Sequence, residues 1–154
     1  GIEDGMSRRE IVAALEAARE VNPRAKYAFY AYRDLNRTEP DPFLLAAVRR
    51  NPVAVDATSD LNVEGVVDKV ESLEDGSIYD DDGRLAQPDE TWNYGRGDGA
   101  EKTVLLAALL RARLPGKEMT IDVSPEKAVL HSGSKTYEFA SRKNLTPATW
   151  TIPA

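Results

Sequence analysis

The sequence predicts an α+β fold in which N-terminal helices and a central apolar helix pack on a small antiparallel sheet. Up to residue 113 the apolar residues recur mainly at helical spacing, and beyond residue 117 they alternate with polar residues, as in strands. Helices followed by a strand meander are typical of this class. The 154 residues, 42% of them hydrophobic, indicate a single domain with a real core. Its expected parts are a helical segment over residues 1–74, an irregular loop over 75–99, a central helix over 100–113 and antiparallel strands over 117–140.

The first helix is marked by its N-terminal signal. Ser7 and Glu10 have the spacing of a capping box, in which each side chain accepts a hydrogen bond from a free backbone N–H. Apolar residues follow at helical spacing, so a helix is expected over residues 7–21, before Pro23. Residues 26–32 are aromatic and alternating, which favours a short strand, although their alanines leave a helix open as the alternative.

Two more helices are expected in this part of the chain. Asp41 followed by Pro42 is typical of an N-cap with proline in the first turn, so a short helix is predicted over residues 43–50. Residues 63–73 carry valines on one helical face and predict another helix.

The chain from residue 74 to residue 99 has the least regular pattern, with five glycines and a run of three aspartates. Long irregular stretches in compact domains are often functional loops. Residues 100–113 then give the clearest helical pattern in the chain, with a broad apolar face. Pro115 and Gly116 are expected to end this helix.

The pattern changes to that of strands after this helix. Apolar and polar residues alternate over 119–123, 128–131 and 137–139, with breaks at Pro125 and at Ser132-Gly133. Up to three antiparallel strands are therefore predicted, with a hairpin near Gly133.

The charge of the chain limits its partners. Twenty basic residues against 26 acidic ones give a net charge of −6. This balance argues against a nucleic-acid partner and against an anionic membrane surface. No apolar run reaches the length of a membrane span, and no cationic start followed by an apolar stretch predicts a signal peptide. The compartment and the oligomeric state stay open.

The chain contains no cysteine. This excludes disulfides, thiolate metal sites and thiol nucleophiles. No cofactor is expected either. The glycines at 95, 97 and 99 precede a helix, but no Lys-Ser or Lys-Thr follows them at the spacing of a phosphate-binding loop.

One segment has the pattern of a known family. The loop before the central helix ends in Gly97-Asp98-Gly99, and that helix ends in Leu109-Leu110-Arg111-Ala112. The segment resembles the nucleophile region of the transglutaminase-like superfamily, whose members share a papain-like core. In that family a loop ending in Gly-Asp-Cys opens an apolar helix that ends in Leu-Leu-Arg-Ala. The resemblance covers residues 88–139, about a third of the chain.

The resemblance implies the chemistry of acyl transfer. In the family a cysteine at the helix N-terminus has its thiolate favoured by the helix dipole and by free N–H groups. A histidine on the facing sheet takes its proton, and an aspartate orients that histidine. The reaction is isopeptide formation or peptide hydrolysis.

Here the family's catalytic positions carry other residues. Gly99 stands where the cysteine belongs, and glycine has no side chain to act as a nucleophile. Residues 134–139 resemble the family's Gly-Lys-Trp-Tyr strand, and counting from them locates the other two positions. The histidine position falls near Pro125 or Glu126, and the aspartate position falls on Ala140 or Ser141. His131, the only histidine, lies elsewhere, so the resemblance implies a degenerate member without catalysis.

Four residues are candidates for binding. Trp92 and Tyr94 precede the glycine-rich loop, where they either line a peptide groove or pack the loop onto the domain. Asp98 is expected to be the N-cap of the central helix. His131 is either a relict base or an ordinary strand histidine, and its strand parity groups it with Val129.

The run Asp80-Asp81-Asp82-Gly83 offers the weak metal candidates Asp80 and Asp82. Calcium loops place ligands at alternate positions and add a bidentate acid further on. Here the acids are consecutive and no such acid follows, so a solvated acidic turn is the competing interpretation. No metal is expected.

Three functions remain open. The first is a non-catalytic transglutaminase-like domain that binds a protein or peptide or serves as a structural module. The second is a hydrolase- or acyltransferase-related enzyme with an unconventional site at His131, Asp98 or the acidic turn. The third is a calcium-stabilised extracellular module. The first is favoured because the family-like helix lacks its nucleophile, so the chain is not expected to be an enzyme.

Overall fold

The computed structural model describes residues 7–18 and 34–154, and its central feature is one helix enclosed by shorter helices and a sheet. The helices are α1 (Arg8–Ala18), α2 (Asp41–Arg49), α3 (Pro52–Ala57), α4 (Val63–Glu71), α5 (Pro88–Tyr94) and α6 (Gly99–Arg113). The strands are β1 (Glu74–Asp75), β2 (Arg96–Gly97), β3 (Met119–Val123), β4 (Lys127–Ser132), β5 (Lys135–Ala140) and β6 (Ala148–Thr151). The predicted α+β class is confirmed.

The central helix α6 is buried from Gly99 to Leu110. Helices α2, α4 and α5 pack on it from one side, and strands β3, β4 and β5 pack on it from the other. The sequence pattern predicted this helix with one broad apolar face, whereas the structure buries it on all sides. A helix enclosed on all sides is normally apolar throughout. This one buries Glu101, Lys102 and Thr103 in its first turns, so each of them needs a partner inside the protein.

The main sheet has the strand order β5-β4-β3-β6 and is antiparallel throughout. Its strands bury alternate residues against α6, as the period of two predicts. Ser132 pairs with Lys135 across a two-residue turn, and Gly133 has φ +62°, which confirms the predicted hairpin. The fourth strand, β6, was not predicted; it pairs with β3 and buries Trp150 opposite Ile121.

The loop predicted over residues 75–99 was only partly right. It contains helix α5, which has a capping box between Gln87 and Glu90 and proline in its first turn. It also contains β2, which pairs in parallel with β1. The glycines and acidic residues concealed a helix of seven residues whose capping box is visible in the sequence. Helix α3 was also missed.

The N-terminal predictions had mixed outcomes. The capping box of Ser7 and Glu10 is present, and α1 follows it. The end of that predicted helix after residue 18 and the predicted strand over residues 26–32 lie outside the described residues. Helix α2 begins at Asp41 itself with Pro40 in the N-cap position, so Asp41 as N-cap was wrong. Helix α4 agrees with the helix predicted over residues 63–73. No helix within residues 7–18 and 34–154 is long and apolar enough to cross a bilayer.

Candidate functional site

An open cleft of ≈ 740 Å³ lies at the N-terminal end of α6. The end of β5 forms one wall, and the segment that follows α4 forms another. Gly99 and Lys102 contribute to its lining from α6. Ligand pockets commonly have volumes in this range. The cleft also coincides with the position of the nucleophile in the family that the sequence resembles.

Gly99 has no room for a side chain. A Cβ atom at this position would overlap the carbonyl oxygen of Ala140, and it would lie 2.7 Å from the carbonyl carbon of that residue. The carbonyl carbon of Phe139 would be 3.0 Å away. These atoms belong to the backbone of β5 and cannot rotate aside as a side chain would. Residue 99 is therefore restricted to glycine unless β5 moves.

Asp98 caps α6 and is buried. Its carboxylate accepts hydrogen bonds from the Ala100 N–H at 2.8 Å, the Ser141 hydroxyl at 2.7 Å and the Arg142 N–H at 2.7 Å. The predicted N-cap is confirmed, and the same carboxylate also holds the chain after β5 against α6. Because its oxygens are occupied by these donors, Asp98 has a structural role at the cleft.

Glu101 is a buried carboxylate in the first turn of α6. It accepts hydrogen bonds from the Asp98 N–H at 2.8 Å, the Ser77 hydroxyl at 2.9 Å and the Ala86 N–H at 2.5 Å. Burial raises the pKa of Glu101 above its ordinary value, and these donors and the charge of Lys143 oppose that rise. Glu101 thus joins three separate segments of the chain at one point.

Lys102 occupies the adjacent position, and its side chain is only 4% exposed. Its ammonium group donates hydrogen bonds to the Asp75 carboxylate and to the Leu73 carbonyl, both at 2.7 Å. Asp75 is itself 97% exposed, and the hydrogen bond and charge of Lys102 hold its pKa below the ordinary value. The pair fastens β1 to the central helix.

Lys143 is a second buried lysine at the cleft. Its ammonium group donates to the carbonyl oxygens of Tyr79 and Asp81, each at 2.8 Å. Burial lowers the pKa of Lys143, while the charges of Glu101 and Asp98 oppose that shift. Lys143 therefore anchors the acidic turn to the wall of the cleft.

The acidic turn itself shows no metal site. Asp80 and Asp82 are exposed, and the Asp81 carboxylate pairs with Arg8 at 2.6 Å. Within residues 7–18 and 34–154, no three carboxylate or imidazole side chains are grouped as metal ligands would be. The arrangement of the described residues gives the calcium interpretation no support.

His131 lies on the face of the sheet opposite α6. Its neighbours Leu130 and Ala128 point into the core, so the alternation of the strand directs His131 outward. The His131 Nε2 atom is 2.8 Å from Asp122, which also accepts a hydrogen bond from the Thr149 hydroxyl at 2.7 Å. The Thr149 hydroxyl, followed by His131, holds the pKa of Asp122 below its ordinary value. This geometry favours the interpretation of His131 as a strand histidine.

Residues from one of the two other positions that the resemblance implies, Ala140 and Ser141, lie beside Gly99. The Ser141 N–H donates to the Glu126 carbonyl at 2.8 Å, and the Ser141 hydroxyl bonds to Asp98. The carbonyl group of Ala140 covers Gly99. The Ala140 carbonyl and the Ser141 N–H belong to one trans peptide and point to opposite sides, so Glu126 lies on the side of β5 away from Gly99. None of these residues is a cysteine or a histidine.

The two aromatic candidates lie apart from the cleft. Trp92 is half-buried against the core, and the Lys69 Nζ atom is 5.7 Å from the centroid of its ring, within the range of a cation–π contact. Tyr94 is 67% exposed at the end of α5. Neither residue lines the cleft. The burial of Trp92 favours a role in packing over a role in binding. A binding role for Tyr94 remains a prediction.

The sequence reasoning missed the buried charges at the cleft. The spacing of Asp98 and Glu101 matches a capping box, so Glu101 could have been found from it. No comparable signal existed for Lys102, because its partners Leu73 and Asp75 belong to a segment almost thirty residues earlier. The burial of Lys143 depends on a turn more than sixty residues away in the sequence.

Comparisons of the chain with protein-family models, curated proteins and solved structures found no match.

Proposed function

We infer that the chain is a non-catalytic transglutaminase-like domain that binds a protein or peptide at the cleft beside α6. One observation carries this inference. The backbone of β5 fills the space that a nucleophilic side chain at Gly99 would need, while the cleft beside it stays open. A site that has no room for a nucleophilic side chain at residue 99 but has an open cleft beside it favours binding over catalysis.

The relation to the transglutaminase-like family is supported by the positions of two of its three catalytic segments. The resemblance assigns the nucleophile to Gly99, the base to residue 125 or 126, and the orienting group to residue 140 or 141. The first and third of these positions meet at the N-terminus of α6, through the contact of Ala140 with Gly99 and the hydrogen bond from the Ser141 hydroxyl to Asp98. Segments far apart in sequence would not be expected to meet here if the alignment were arbitrary.

The charged groups of the cleft support a binding role in a different way. Asp98, Glu101 and Lys143 are occupied by bonds within the protein, so they preserve the shape of the cleft. Arg142 and Asp80 are exposed on its wall and offer both signs of charge to a ligand. Peptides carry N–H donors, carbonyl acceptors and charged side chains that suit such a mixed surface.

An enzyme with an unconventional site receives less support. His131 is on the opposite face of the sheet, and its partner there is Asp122. Asp98 already accepts three hydrogen bonds and is not positioned as a free acid or base.

The test is a screen of random peptides displayed on phage against the immobilised protein, followed by fluorescence anisotropy with the selected peptides. Arg142→Glu reverses a charge on the cleft wall and leaves the backbone contact of that residue with Asp98 in place. We expect this variant to bind the selected peptides at least about tenfold more weakly. Arg50→Glu is the matched control, because Arg50 is exposed and does not line the cleft.

Two results would contradict the proposal. Selected peptides that bind both variants as they bind the wild type do not use the cleft. Transfer of an amine to casein, or hydrolysis of casein, by the pure protein would establish catalysis if a single substitution removed the activity.

A further inference from the structure

A second open space continues the cleft along the same strand. The first half of β5 and the first half of α4 enclose ≈ 410 Å³, while the second half of β5 and Glu71 at the end of α4 line the first cleft. Both elements pack on α6. The two spaces follow one another along α4 and β5, and we call them together the α4–β5 groove.

Strand β5 presents an unpaired edge to this groove. It is the outermost strand of the sheet and, within the described residues, pairs only with β4. In a two-residue hairpin the closing pair, here Ser132 and Lys135, exchanges hydrogen bonds, and this pattern repeats at every second residue. The backbone N–H and C=O groups of Thr136 and Glu138 therefore point away from β4. Such an edge is a template for an added strand.

The wall opposite this edge is acidic. Glu64, Asp68 and Glu71 are exposed and spaced four and three residues apart, so they form one row along α4. None of the three forms an ion pair with any residue in the described part of the chain. Lys135 lines the second space together with Glu64 and Asp68, so the row keeps an excess of negative charge, which attracts a ligand of the opposite sign.

Below this row the groove is apolar. Val63, Val67 and Tyr137 are half-buried, line the groove and pack against the core. Lysine and arginine side chains fit such a surface, because their aliphatic stems cover apolar groups while their charged ends reach an acidic rim.

We propose that the α4–β5 groove binds an extended lysine- or arginine-rich peptide segment of another protein, which adds to β5 as a fifth strand. Its cationic side chains lie against the acidic row of α4. This proposal rests on the proposed peptide-binding function and names the chemistry of the partner. A second copy of the chain fits less well, because pairing β5 with β5 would bring two acidic α4 rows together.

The probe is a fluorescein-labelled peptide of about eight residues that alternates lysine and valine, a length matched to one strand. Fluorescence anisotropy with the full chain is expected to show binding at least about tenfold tighter than for the same peptide with glutamate in place of lysine. Two N-methylated forms of the lysine peptide remove alternate backbone N–H groups. Only one of them should lose affinity, because only alternate N–H groups of an added strand face β5.

A charge-matched pair of variants locates the site. Neutralising the acidic row with Glu64→Gln, Asp68→Asn and Glu71→Gln together is expected to weaken binding at least about tenfold. Asp56→Asn, Asp60→Asn and Glu118→Gln together change the net charge equally at exposed positions outside the groove. This control is expected to stay within about twofold of the wild type.

The outcomes separate this proposal from the proposed function. Equal loss in both triple variants would mean that net charge alone attracts the peptide, and equal effects of the two N-methylated forms would exclude strand addition. If the phage-selected peptides bind in an Arg142-dependent way while the lysine peptide does not bind, strand addition of a basic segment fails and the proposed function stands. If no peptide binds, both fail. A dimer, seen by sedimentation velocity, that excludes the lysine peptide would identify a second copy as the occupant and overturn the proposal.

Discussion

Charged side chains are buried on one side of the sheet and exposed to solvent on the other. On the inner side, at the corner where α6 begins, Glu101 and Lys143 are buried and bonded to groups from distant segments. On the outer side, Asp122 and His131 form a pair that is 52% and 40% exposed. A buried charge that loses its partners carries a large energetic penalty, whereas an exposed pair is screened by water. The burial of a charged side chain, more than the number of its hydrogen-bond partners, therefore determines how much its loss lowers the free energy of unfolding.

The largest expected effect is that of Glu101→Ala. The substitution leaves the Asp98 and Ala86 N–H groups and the Ser77 hydroxyl without their acceptor in a buried place. Unsatisfied buried donors cost about 1–3 kcal/mol each, and partial relaxation reduces their sum, so we expect a loss of about 3 kcal/mol or more in the free energy of unfolding. Urea denaturation measures this loss.

Glu118→Ala is the control for that substitution, because Glu118 is exposed and does not line the cleft. Its expected effect is below about 0.5 kcal/mol. If the two variants lose similar stability, the contrast between buried and exposed charges is wrong for this protein.

An intermediate effect is expected for Gly99→Ala. Its methyl group meets the carbonyl group of Ala140 at the end of β5, so that the strand has to shift. Overpacking of this kind costs about 1–3 kcal/mol. Alanine otherwise favours a helix over glycine, so an unchanged or raised melting temperature in differential scanning calorimetry would show that β5 moves easily and that a nucleophile could be accommodated.

The smallest effect is expected on the outer face, for Asp122→Ala. Because the pair is half exposed, the expected loss is about 0.5 kcal/mol at neutral pH. The pKa of Asp122 is lowered in the folded state, so its contribution is present above the ordinary value of 3.8 and is lost as pH falls through the lowered pKa. Urea midpoints of wild type and variant between neutral and acidic pH should therefore converge at the acidic end. A gap that persists below the lowered pKa of Asp122 would contradict the direction of the shift.

The sequence predicted the parts of the fold that depend on local patterns. The alternation in β3, β4 and β5, the hairpin at Gly133 and the cap of α6 by Asp98 were all read correctly, because each depends on neighbouring residues. Strand β6 was missed since it is short and carries one buried aromatic side chain. Helix α5 was missed because its turn-forming residues outweighed its capping box.

The candidate site was harder to predict than the fold. The absence of a cysteine nucleophile follows from composition alone, and Gly99 was identified from a local motif. The steric closure of that position could not be predicted, because it depends on Ala140, forty-one residues further along the chain. Lys143 likewise had no signal, since its carbonyl partners are contributed by a distant turn.

The convergence of segments on Glu101 also bears on the order of folding. Its carboxylate can leave water only when the segments that contain Ser77 and Ala86 have reached the N-terminus of α6. We expect these contacts to form after the folding transition state, because burial of the charge without its donors is unfavourable. Contacts formed that late act on the unfolding rate and leave the folding rate nearly unchanged. The hydrogen bonds of the buried Glu101 carboxylate are therefore expected to slow unfolding, and so to lengthen the lifetime of the folded N-terminus of α6 beside the groove.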